Sequence, residues 1–393
     1  MWNLKLFLSS LLVLLVVNVL SVHSSVNGIT RHNVKSYTDN QRFLIVFIDS
    51  RSCTRCKNIY KNFVAASQSF EGDKDIYFGK TTDLVLIKRW DIQELPAVVY
   101  FPMGVEEPAL MEGDCTVDNI LDHIAFIMKG DFTDIKKNYH VDITEDNFEE
   151  LIMNPVQHAI LLIYDQYHEE QKVTVSEVAK TFREDDDVVI ATLDADKYKA
   201  FRDKQFKFVG APLLYWYPID DKFNSKRFGG DLTSDVILNF INEETNSWRN
   251  KDGTFMLRSG RYPTLDRIID NNLGAIARVD VEKLDEIIEE ISKAVDNLYS
   301  NEKEFGQFYI YLLQQIQLKK TTKALSTETD VIFKEMENLD LFNRRRDTLI
   351  RKHHILDYIV TNIGDYIISN PNFKKEKSTA KKKTSGVPDH HEL

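Results

Sequence analysis

Two cysteines separated by two residues, Cys53 and Cys56, constrain this chain more than any other feature. The β-prone residues Leu44–Phe47 lead into a short polar turn, and the cysteines follow it directly. Behind them Ile59, Tyr60, Phe63 and Val64 recur at helical spacing. A strand, a turn and a helix start carrying C-x-x-C form a setting for thiol–disulfide exchange. The free N–H groups and dipole of a helix N-terminus stabilise an anion, here the thiolate of the first cysteine. The order predicts an exposed, acidified Cys53 as nucleophile and a more buried Cys56 as resolver. A zinc half-site or a structural disulfide are the other readings of such a pair. Structural zinc usually takes four ligands, and a second C-x-x-C or an H-x-x-x-H is missing from the sequence. A disulfide closing so short a loop constrains little chain. No metal and no cofactor is therefore expected.

At 393 residues the chain has room for two or three domains, and its net charge of −11 argues against a nucleic-acid partner. Met1–Ser24 reads as a secretory signal: Lys5 gives a positive start, Leu6–Leu20 an apolar run, and Val22 and Ser24 a small-residue cleavage site. The chain ends His390-His391-Glu392-Leu393, a retention address with His391 in place of the usual aspartate. Together these predict the lumen of the endoplasmic reticulum, a retention receptor as one partner, and no membrane insertion once the signal is removed.

Four segments follow the signal. Residues 25–130 alternate strands and helices, with strands at Arg42–Asp49, Asp75–Lys80, Ala97–Phe101 and Ala109–Glu112 and helices at Thr54–Gln68, Asp83–Trp90 and Thr116–Met128. Residues 131–250 repeat that pattern: strands Ala159–Tyr164, Asp187–Leu193 and Leu213–Tyr217, helices Glu170–Phe182, Lys197–Lys204 and Ser234–Asn242. Where the cysteines would fall, this repeat reads Tyr164-Asp165-Gln166-Tyr167-His168-Glu169-Glu170. Without a thiol it has no exchange chemistry, and its aromatics, Tyr164, Tyr167, Tyr215, Trp216 and Tyr217, suggest a binding face. Residues 255–368 turn helical, with Leu284, Ile287, Ile288, Ile291, Val295 and Leu298 on one stripe and further helices at Phe305–Ile316, Val331–Leu339 and Ile350–Ile363. Residues 369–393 are Lys-rich and read as a flexible tail exposing the terminal address.

Strand, C-x-x-C, helix and then Leu95-Pro96 opening a later strand resembles the thioredoxin fold of the protein disulfide isomerase family. The fold expected is α/β thioredoxin-like in two tandem domains, followed by an all-α bundle that resembles the helical D domain of some isomerase relatives. The resemblance implies a cis Pro96 which, with Leu95 and Arg55, docks substrate beside Cys53 and Cys56. Pro212 matches the same position in the cysteine-free repeat. Several positions depart from the family, the first being Ser52 in place of its tryptophan. Thr54-Arg55 replaces Gly-His between the cysteines. Phe47 stands where the family carries a buried glutamate that assists proton transfer to the second cysteine, which implies slow resolution. Cys115 stands where an arginine promotes turnover, and would have a regulatory role if it competes for the disulfide. The function implied is a lumenal thiol–disulfide oxidoreductase acting on unfolded or disulfide-bonded secretory clients. The alternative is a non-catalytic chaperone or escort of such clients. A homodimer is left open.

Overall fold

A computed structural model describes residues 26–38, 43–71, 73, 75–102, 105, 107–129, 137–207, 209–337, 339 and 344–370. The expected signal and retention address lie outside the described residues, as does all of the Lys-rich tail beyond residue 370. The chain divides into two compact units, Met1–Asn147 and Phe148–Leu393.

The first unit is built on the strand Phe43–Ile48, whose six residues are all buried. An entirely apolar strand fits only a central position with both faces covered. It pairs parallel with Ile76–Thr81 and antiparallel with Ala97–Phe101, and Asn27–Gly28 and Ala109–Leu110 form the two edges. Successive side chains alternate between faces. Phe47 packs on Tyr60 and Phe63 of the helix Thr54–Gln68, and Phe63 continues onto Phe78. Leu44, Val46 and Ile48 point the other way, into a cluster with Ile29, Leu86, Val99 and Phe101. Strand Asn27–Gly28 presses close enough that a Cβ on Gly79 would meet the Ile29 side chain at 2.4 Å. The helix Val117–Met128 packs beside Thr54–Gln68, capped by Thr116, whose side chain accepts from the Asn119 amide.

In the second unit the strand His158–Tyr164 is buried along its whole length. It pairs parallel with Val188–Asp194 and antiparallel with Leu213–Tyr217, and Lys226–Arg227 lies on the outer side of Leu213–Tyr217. The helices Glu169–Thr181, Lys199–Gln205 and Ser234–Thr245 accompany these strands. The expected binding face is corrected here. Tyr164, Trp216 and Tyr217 are core residues because both faces of their strands are covered, Tyr215 is half-buried, and Tyr167, on the turn, is exposed.

Six helices follow among the described residues: Pro263–Asn271, Leu273–Arg278, Val281–Val295, Lys303–Lys319, Ala324–Glu337 and Arg344–Ser369. They share one core, in which Leu284, Ile287 and Ile291 meet Tyr309, Leu313, Ile355 and Ile359. The expected stripe is present, though the helix stops at Val295 and leaves Leu298 in the turn beyond it. An ion cluster ties these helices to the sheet of the same unit. Buried Arg249 donates to both oxygens of Asp185, 2.6 and 2.8 Å away, and also meets Asp347 at 3.0 Å, while Arg351 reaches Asp185 at 3.1 Å.

Candidate active site

The cysteines sit where the central strand of the first unit ends. After Ile48 the chain turns through Asp49–Ser52, and Cys53 is the N-cap of the helix Thr54–Gln68. Its Sγ accepts from the Cys56 amide at 3.0 Å, so a helix N-terminal donor is aimed at the sulfur that would carry the negative charge. Cys53 and Cys56 are disulfide-bonded, with Cα atoms 5.2 Å apart. Cys53 is half-buried and Cys56 is 0% exposed, the expected order. Cys56 is buried because it falls on the face of the helix that also carries Ile59, Tyr60 and Phe63.

A carboxylate that the sequence reading missed completes this site. Asp49 is buried, and one of its carboxylate oxygens and the two cysteine sulfurs all lie within 4.8 Å of one another. Asp49 Oδ2 pairs with Lys80 Nζ at 3.1 Å, and that ammonium also lies over the Tyr60 ring, 3.8 Å from its centroid. Asp49 Oδ1 is buried without a hydrogen-bond partner among the described residues. A carboxylate this close to the sulfurs can take a proton from, or return it to, one of them. Phe47, at the family's glutamate position, is wholly buried and aromatic, as the sequence implied. The acid has moved two residues along, from inside the strand to its end. The available signal was an aspartate directly after six apolar residues and four residues before Cys53.

The other predicted site residues fall as follows. Ala97 is paired with Ile48, so Pro96 lies at the sheet end from which Asp49 leads towards the cysteines. The Leu95-Pro96 bond is cis, and Leu95 is half-buried against the cluster around Leu86. Arg55 is exposed, and its guanidinium meets Asp114 at 3.4 Å. Cys115 is half-buried and outside any disulfide, and its carbonyl accepts from Asn62 Nδ2 at 3.0 Å. The loop before it is held by Asn119, whose side-chain amide donates to the carbonyls of Glu112 and Asp114.

In the second unit the corresponding helix, Glu169–Thr181, starts with His168 as its N-cap, and the His168 imidazole is bonded to Asp165. Burial raises the Asp165 pKa, but the bonds from His168 and the Tyr167 amide outweigh it and hold the carboxyl below its usual range. The Ala211-Pro212 bond is cis, matching Leu95-Pro96.

A family model described as a thioredoxin-like domain matches residues 54–243. The chain is 24% identical over 322 residues to the probable protein disulfide-isomerase A6 of Medicago sativa, covering 79% of this chain and 84% of that one. It is 23% identical over 362 residues to protein disulfide-isomerase 1 of Dictyostelium discoideum, covering 88% and 97%. Among solved structures it is similar to ERdj5 form II, at 16% identity and a TM-score of 0.25, covering 57% of this chain and 29% of that chain.

Proposed function

The chain belongs to the protein disulfide isomerase family, and from that premise we propose that it exchanges disulfides with secretory polypeptides in the lumen of the endoplasmic reticulum. The observation that carries the reading is Asp49 held against a Cys53–Cys56 pair at a helix start. The Cys53 thiolate attacks a substrate disulfide and forms a mixed disulfide, and the departing substrate sulfur leaves as thiolate. Cys56 gives its proton to Asp49 and attacks Cys53 Sγ. That step releases the second substrate thiolate and closes the Cys53–Cys56 disulfide. Run in reverse, the same steps oxidise a substrate dithiol. Lys80 holds the Asp49 carboxyl in place through its contact with Oδ2.

Leu95 and Pro96 line the approach of the substrate chain, and Arg55, already paired with Asp114, sits at its rim. The reading calls for an oxidising compartment, in which a disulfide of this kind persists. The amino-terminal signal and the His390–Leu393 address agree with it, and a retention receptor would be the partner of the latter. Among the described residues no helix is long and apolar enough to cross a membrane. Turnover of a dithiol peptide and refolding of a reduced, scrambled secretory protein test the proposal. Wild type should be active, and Cys53→Ser should abolish both reactions. Equal activity in the variant would remove the reading and leave a non-catalytic escort.

A further inference from the structure

The chain around Cys53 carries charge of one sign. From residue 50 to residue 70 it has the basic residues Arg51, Arg55, Lys57 and Lys61 and no acidic one, in a protein whose net charge is −11. Arg51 and Arg55 stand two residues to either side of Cys53, and both are exposed. Helix Thr54–Gln68 has no acid in its first turn, whereas its counterpart Glu169–Thr181 starts with Glu169 and Glu170. Cations at a helix N-terminus oppose its dipole, so helix stability does not account for Arg55. Nor does pairing. Arg51 makes no hydrogen bond or ion pair among the described residues. Arg55 meets Asp114 at 3.4 Å, between side chains 57% and 48% exposed, an arrangement that adds little stability. The buried Asp49 pairs with Lys80 and with neither arginine.

We propose that Arg51 and Arg55 select the substrates of this site: polypeptide cysteines flanked by aspartate or glutamate, whose carboxylates meet the two guanidinium groups as the substrate sulfur reaches Cys53. The inference deepens the exchange reading and rests on it. Neither guanidinium bonds to Cys53 Sγ, which takes its donor from the Cys56 amide at 3.0 Å. Both charges are therefore open to an incoming group. A guanidinium fork takes a carboxylate through two parallel N–H···O bonds, which fixes the approach as well as adding attraction. An incoming carboxylate displaces Asp114 from Arg55 at small cost, because the existing pair is long and exposed. Attraction between unlike charges also raises the rate of encounter, an effect that salt removes.

The test uses the full reduced chain and two readouts. First, Cys53 is alkylated with iodoacetate, an anion, and with neutral iodoacetamide, and peptide mapping restricts the reading to Cys53. Both reagents need the same thiolate, so their ratio cancels any effect of the arginines on the sulfur and reads charge along the approach. At low salt the ratio should exceed that of a neutral model thiol by roughly threefold or more. Second, exchange is followed with two disulfide peptides that differ only in having aspartate or lysine beside the cysteine, and with glutathione disulfide and cystamine as small anionic and cationic disulfides. The aspartate peptide should react roughly tenfold faster, and salt at about 1 M should bring the two rates together. Arg51→Glu with Arg55→Glu should invert both preferences, and Asp114→Asn, which frees Arg55, should strengthen them. Equal rates for the two peptides at low salt, even with glutathione disulfide preferred over cystamine, would overturn the proposal. So would a reagent ratio matching the model thiol or preferences unchanged in the double variant. No turnover of any disulfide, with the reagent ratio kept, would end the exchange reading alone, so the two fail separately.

Discussion

A carboxylate held out of water beside two sulfurs changes what each sulfur can do. Asp49 faces the pair with one oxygen committed to Lys80 and the other unpartnered, the arrangement of a proton acceptor and not of a structural ion pair alone. Asp49→Asn keeps the shape and removes the base. Turnover should fall by roughly tenfold to a hundredfold, with the mixed disulfide through Cys53 accumulating. The deficit should narrow as pH rises, because added base favours thiolate formation without a carboxylate acceptor. Quenched-flow trapping over a pH series reads both effects, and unchanged turnover would reduce Asp49 to the partner of Lys80. The burial order of the cysteines has its own consequence. In the reduced protein iodoacetamide should label Cys53 well before Cys56, because only Cys53 reaches solvent and the helix dipole together. Peptide mapping of the label would expose the reverse order. The cysteines were legible in the sequence because their spacing carries the chemistry. Asp49 was not, because the family pattern directs attention to position 47, and only the fold shows that a strand end two residues on reaches the same sulfurs.

At the scale of elements, legibility follows burial. Strand Ala97–Phe101 and helix Thr54–Gln68 match their predicted bounds, since a proline opens one and the cysteine cap opens the other. The last helix runs from Arg344 to Ser369, far beyond the expected Ile350–Ile363. Its deeply buried residues, Leu349, Ile355, Leu356, Ile359 and Ile363, lie in the middle of the helix, so its ends left a weaker periodic trace in the sequence. Helix Pro263–Asn271 was missed as an element, although Leu265, Ile268 and Ile269 mark its inner face. The loop carrying Cys115 offers a test of how an element positions a site. Gly113 has φ +86°, and an added Cβ would lie 2.9 Å from the Asn119 amide that braces the loop. Gly113→Ala should therefore cost about 1–2 kcal/mol and faster amide exchange through residues 112–116. Hydrogen exchange by mass spectrometry measures it, and unaltered protection would mean that the brace tolerates the methyl group.

Across the molecule the two units differ in how they answer to pH and to oxidants. The second buries groups whose ionisation opposes folding. Burial pushes the Lys222 ammonium down to about 7 and the Glu302 carboxyl up to about 7. Lys222, depressed when folded, contributes stability above its unfolded value of 10.5 that is lost as pH falls to 7. Glu302, raised when folded, contributes stability below 4.5 that is lost as pH rises to 7. The pH range around 7 therefore carries both costs. Lys222→Met should stabilise the second unit most at and below pH 7, with the gain shrinking towards pH 10. Urea unfolding followed by exchange in strand Leu213–Tyr217 tests this, and a gain that grew with pH would reverse the assignment. All three cysteines, Cys53, Cys56 and Cys115, belong to the first unit, and the second contains none. Peroxide that drives Cys53 to sulfinic acid would end exchange irreversibly. The second unit has no cysteine to lose in that reaction. An overoxidised copy would thus lose its chemistry in one unit while the other kept its fold, so that a poisoned enzyme and an intact one would unfold alike in the second unit.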